Sequence, residues 1–174
     1  MSCTLSQGAT IGCVNSKGGI KRLYIGDFND LVSYTVVGGA ITAIALTEDK
    51  QMWTYNVEKQ NCTFSQEAKK SLENGSLYYE SKVDWNMKQM SSALNVELSA
   101  LLQARLFVAF KDNNGKNWIV GLENAVDAMT NTAGTGKLFS DLNGYTIGLV
   151  GMEPEMAYEI SDALLATIIV PFED

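Results

Sequence analysis

From Arg105 to Glu153 the chain reads RLFVAFKDNNGKNWIVGLENA, a Gly-, Thr- and Asn-rich stretch, and then DLNGYTIGLVGMEPE. Leu106 to Phe110 and Asn117 to Leu122 are strand-like runs flanking the turn Asp112-Asn113-Asn114-Gly115. They predict a β-hairpin, because clustered Asn and Gly supply the turn conformations that other residues resist. A third run, Tyr145 to Val150, closes the sheet after a connection of about twenty residues. That connection, Asn124 to Asn143, contains AMTNTAGTGKLF and shows little periodicity, so it reads as a long excursion between rigid strands.

The rest of the chain carries the same period-two signature. Ile20 to Ile25 is a first strand, and Ala40 to Leu46 with Gln51 to Val57 is a second pair about Glu48-Asp49-Lys50. Cys62 to Leu72 alternates weakly, then Glu73-Asn74-Gly75-Ser76 marks a hairpin. From Leu77 to Met87 the alternation is clean, with Tyr79, Ser81, Val83 and Trp85 opposed to Glu80, Lys82 and Asp84. The period changes once. Leu94, Leu98, Leu101 and Leu102 recur at helical spacing, predicting a helix over about 91–103 that is capped by Ser91 or Ser92 and packs its leucines on a sheet. At 174 residues this is one mainly β (α+β) domain, with an arm over 1–19, a β core over 20–153 and a tail over 154–174. The tail ends in ALLATIIVPF, which is too apolar to stay solvated and should pack on its own domain or on a neighbour.

The charge is unevenly placed. Thirteen acids and thirteen bases precede or include Lys137, and after it come only acids: Asp141, Glu153, Glu155, Glu159, Asp162, Glu173 and Asp174. The net charge of -7 therefore sits in the C-terminal fifth. Nucleic-acid binding by counterion release needs clustered Lys and Arg, and no such stripe is present. An acidic wall repels phosphate or meets a basic partner. No apolar run approaches the roughly 20 residues of a membrane helix, and the start MSCTLSQGATIGC lacks a signal-peptide pattern, so synthesis in the cytoplasm is expected.

Chemistry finds little footing. The chain has no histidine, which removes Ser-His and Cys-His nucleophile arrangements. Cys3, Cys13 and Cys62 lack close metal-ligand spacing, so no metal or cofactor is expected, while a Cys3–Cys13 link is left open. Gly134-Thr135-Gly136-Lys137 suggests a phosphate loop, but Asn131 and Leu138 stand where that motif needs Gly and Ser or Thr. Asp112-Asn113-Asn114-Gly115 lacks the later ligands of a calcium loop. Asp27 with Asp30, and Glu80 with Asp84, read as turn or solvated carboxylates. Trp53, Trp85 and Trp118 fall in separate strands, with core packing the default for each.

GGIKRLYIGDF, ENGSLYY, KDNNGKNWIVGLENA, TAGTG and DLNGYTIGLVGMEPE together resemble small virion structural proteins of tailed phages and prophages of Bacteroidetes-type bacteria, most of all tail tube proteins. The resemblance spans roughly residues 1 to 155. It implies an antiparallel β-sandwich or partly closed barrel flanked by one helix, with a long loop and terminal arms. It further implies a non-enzymatic subunit of stacked hexameric rings that partners itself and other tail proteins and lets DNA pass without specific binding. Under it, Asn124, Thr130, Asn131, Gly134, Gly136 and Lys137 belong to an inter-ring loop. Asp141, Glu153, Glu155, Glu159 and Asp162 would line an acidic channel or a partner surface. A capsid decoration or head–tail connector role is the alternative, and a ligand binder or enzyme with an acidic cleft ranks below it.

Overall fold

A computed structural model describes residues 8, 9 and 15–171. Cys3, Cys13, Glu173, Asp174 and most of the expected arm lie outside the described residues. The chain is mainly β, in one mixed eleven-stranded sheet that does not close into a barrel. The strands are β1 (Ile20–Asp27), β2 (Leu31–Val37), β3 (Ala40–Leu46), β4 (Trp53–Asn56), β5 (Cys62–Ser71) and β6 (Ser76–Lys88). After helix α1 (Ser92–Gln103) come β7 (Leu106–Asp112), β8 (Asn117–Val120), β9 (Val126–Gly134), β10 (Gly144–Glu153) and β11 (Tyr158–Ile160), then the short helix α2 (Asp162–Ala166). Their order is β2-β3-β11-β8-β7-β9-β10-β6-β5, with β1 on β7 and β4 on β1.

β7 explains the layering. Leu106 through Phe110 are all buried, so the strand carries an unbroken apolar run rather than an alternation. Leu106, Val108 and Phe110 enter one core, and Phe107 and Ala109 enter a second. The first core lies between β1, β7 and β8 on one side and β5, β6, β10 and the start of β9 on the other. Val83, Trp85, Ile147 and Leu149 supply its far wall, and Leu98 and Leu101 of α1 join it. The second core lies on the opposite face of β7, covered by Ile41 of β3, Ile160 of β11, and Leu165 and Ile168 around α2. The apolar tail thus packs on its own domain.

Helix α1 forms as the leucine spacing predicts. Ser91 is the cap, its hydroxyl accepting from Leu94 N–H at 3.2 Å. The Tyr145 hydroxyl donates to Asn95 Oδ1 at 2.6 Å, pinning the first turn of the helix to β10. The β5–β6 hairpin also forms, although only Gly75 of its Asn-Gly pair takes positive φ (63°).

Four expectations fail. β3 and β4 do not pair with each other: β3 runs beside β2 and β11, and β4 beside β1. Leu31–Val37, overlooked in the sequence, is a strand because it covers the second core with alternate residues. The sheet is not purely antiparallel, since β11 lies parallel to β3. Trp53 is 63% exposed at the strand edge, while Trp85 is buried and Trp118 half-buried.

Candidate assembly surface

The expected excursion is mostly a strand. Val126–Gly134 forms β9 and pairs with β10 from Val126↔Gly151 to Gly134↔Gly144, leaving residues 135–143 as the loop. Its composition hid it, because most of β9 faces solvent and Thr, Asn and Ala replace the usual apolar alternation. A bulge opposite Gly148 and Leu149 further breaks the period. Thr130 and Asn131 are mid-strand, and Gly134 ends the ladder.

The loop is braced rather than loose. Asp141 Oδ2 accepts from the backbone N–H of Lys137 and of Leu138, each at 2.8 Å. These two bonds hold its carboxyl below the ordinary range. Gly136 sits at φ +68°, where a side chain would strain the backbone, and a Cβ there would collide with the Asp141 side chain. The brace presents Leu138 and Phe139 outward, and Phe139 is fully exposed. A phenyl ring held in water at a hairpin tip is the largest apolar anomaly of this surface. The sequence reading passed over Leu138 and Phe139, though two apolar residues directly after Gly-Thr-Gly-Lys were the available signal.

Asn124 anchors the other end. Its amide donates to Met152 O at 2.9 Å, its N–H reaches Glu153 Oε1 at 2.8 Å, and Arg105 Nη2 donates to its carbonyl at 2.7 Å. Glu153 is therefore a buried turn-holding carboxylate, accepting also from Glu123 N–H at 3.2 Å. Burial raises its pKa above the ordinary value, against the pull of those two N–H groups.

The five acids named from sequence do not form one wall. Asp141 serves its loop, and Glu153 is 6% exposed. Glu159 pairs with Lys116 at 2.8 Å. Asp162 accepts from Asn117 at 2.9 Å and from Lys111 at 2.7 Å, which lowers its pKa. Only Glu155 has no such bond here, and it sits half-buried near Tyr158. Each acid is consumed by a local structural task, and the tasks lie in different parts of the fold.

Two open features remain. The strands β5, β6, β10 and β9 form a half-sheet with one face on the first core and the other in solvent. Its solvent face carries Thr63, Ser65 and Glu67 of β5, Lys82 and Asp84 of β6, Thr146 of β10, and Thr130 and Thr132 of β9. Ion pairs Lys69–Glu67 and Lys82–Glu80, each 2.7 Å, leave it close to neutral. Among the described residues no strand pairs with the outer edge of β5, nor with that of β9 beyond Val126.

The second feature is a cavity of about 500 Å³ between β5 and the β7–β8 hairpin. Ile20, Phe64, Phe110, Trp118 and Met156 give it apolar walls, and the Phe64 and Phe110 rings lie 4.5 Å apart. The Asp112–Gly115 turn holds the chain at its rim: Lys17 N–H donates to Asn114 Oδ1 at 2.8 Å, and Asn113 Nδ2 donates to Gly18 O at 2.6 Å. Among the described residues no cluster of three or more Cys, Asp or Glu could hold a metal ion, and no helix is long and apolar enough to cross a membrane.

Compared with protein-family models, with curated proteins and with solved structures, the chain matches none.

Proposed function

We propose that this chain is a tail tube subunit of a tailed-phage virion, assembling into stacked, most simply hexameric, rings around a channel for DNA. The observation that carries this reading is the half-sheet β5-β6-β10-β9 with both outer edges unpaired. All three of its internal pairings are antiparallel, so β9 runs opposite to β5. Rotating one copy to bring its β5 edge beside the β9 edge of another joins them antiparallel. An even number of strands per copy lets this repeat without a mismatch until the ring closes. Closure removes the exposed edges, which are otherwise a liability for aggregation.

Six copies would give twenty-four strands. At about 4.8 Å per strand and a tilt of about 40°, the wall is roughly 150 Å around and about 48 Å across between backbones. The solvent face of the half-sheet would then line the channel with Thr, Ser and paired ions. A near-neutral lining suits a passage in which DNA must slide without being held. In this reading that face, rather than Asp141, Glu153, Glu155, Glu159 and Asp162, meets the DNA.

Negative-stain microscopy across a concentration series tests the proposal. Rings or tubes of uniform diameter are expected. A species that stays monomeric in sedimentation at the highest attainable concentration would overturn it.

A further inference from the structure

Two anomalies of this surface answer each other. Leu138 and Phe139 are apolar, exposed and held out by the Asp141 brace, which is a cost to the isolated chain. The cavity walled by Ile20, Phe64, Phe110, Trp118 and Met156 is an unfilled extension of the first core, large enough for a phenyl and an isobutyl group together. We propose that the hairpin tip of one copy inserts Leu138 and Phe139 into this cavity of a second copy. The contact deepens the assembly reading above and rests on it for its place between rings.

The occupant is argued from the chain itself. Every copy carries one tip and one cavity, so the two are matched one to one without a further partner. Within its own chain the tip is excluded, because Phe139 is fully exposed and neither tip residue lines the cavity. The brace pre-organises the tip, so little ordering entropy is lost on insertion. Aromatic rings on the cavity wall give the entering ring edge and face contacts.

The area decides what such a contact can do. A buried aromatic side chain covers roughly 150–250 Å², whereas a stable pair of proteins buries about 1,000 Å² or more in total. The tip alone is too small to hold two copies together, so it reinforces contacts made elsewhere. Tip and cavity are different patches, so each insertion leaves one tip and one cavity unused. Growth by this contact is head-to-tail and open-ended, as stacking requires.

Covalent trapping reads the contact directly. In full-length protein carrying Cys3→Ser and Cys13→Ser, one preparation takes Leu138→Cys and another Met156→Cys, which leaves Phe139 in place. Mixing them under mild oxidation is expected to give disulfide-linked heterodimers well above a Leu138→Cys with Lys50→Cys control. Equal yields would overturn the inference. In the otherwise native chain Phe139→Asp, with an unchanged melting temperature, is expected to weaken self-association at least tenfold. Tubes that stack as well with Phe139→Asp as without it would sink the contact and leave the tube reading standing. Trapped pairs that never grow past dimers would keep the contact and sink the tube.

Discussion

Glu153 illustrates how single residues here were misjudged from charge alone. Its carboxylate ties down the turn at Glu123 and Asn124, and Glu153→Ala would leave two backbone N–H groups without a partner. A loss of about 2 kcal/mol is expected, at the size of an orphaned buried polar group, and urea unfolding measures it. The pH dependence has a definite sign. Because the folded-state pKa is raised, the native protein holds this proton more tightly than the unfolded chain does. Its contribution to stability is full below the ordinary Glu value of 4.5 and is lost as pH rises through the folded value. Stability of the native chain should therefore fall just above that pH relative to Glu153→Gln. Cys62 is the second residue-scale case. It is buried against Trp85's strand, and burial pushes its thiol up to about 12. With Cys3 and Cys13 replaced by Ser, a thiol reagent at pH 8 should leave the native protein unlabelled and react promptly after denaturation.

At the scale of elements, periodicity was legible wherever one face of an element met the core. The α1 leucines and the β6 alternation were readable because burial selects every second or every third to fourth residue. Leu98→Ala should cost roughly 2–5 kcal/mol by opening space in the first core. Ser91→Ala should cost about 1 kcal/mol by removing the cap. Both can be measured as shifts in the urea midpoint, and the larger effect of Leu98→Ala separates packing from capping. β9 was not legible, since its residues after Val126 lie largely in solvent and packing imposes no pattern on them. β2 was missed for a related reason: its alternation is only half-buried, and no turn signal sets off its start from the Phe28–Asp30 turn.

At the scale of the whole molecule, the unusual property is an antiparallel half-sheet that ends in two free edges. Edge pairing and tip insertion act at different places, so their loss should be separable. A Phe139→Asp protein is expected to form single rings that fail to stack, counted by microscopy at a concentration where the native chain forms tubes. Finding neither rings nor tubes with that variant would assign the tip to ring closure instead.

Sequence alone determined the β character, the single long helix, the DNNG and NG hairpins, and the lack of a histidine-based catalytic group. Each of these follows from local patterning, turn chemistry or simple composition. It could not decide that β4 joins β1 instead of β3, or that β11 returns parallel to β3, because strand partners are chosen by which faces can be buried together. The same is true of the acids after Lys137. Their count was plain, but only the folded chain brings Lys116 to Glu159, Lys111 to Asp162, and two backbone N–H groups each to Asp141 and Glu153. Charge is a property of the sequence, whereas its surplus at a surface depends on which partners the tertiary structure supplies.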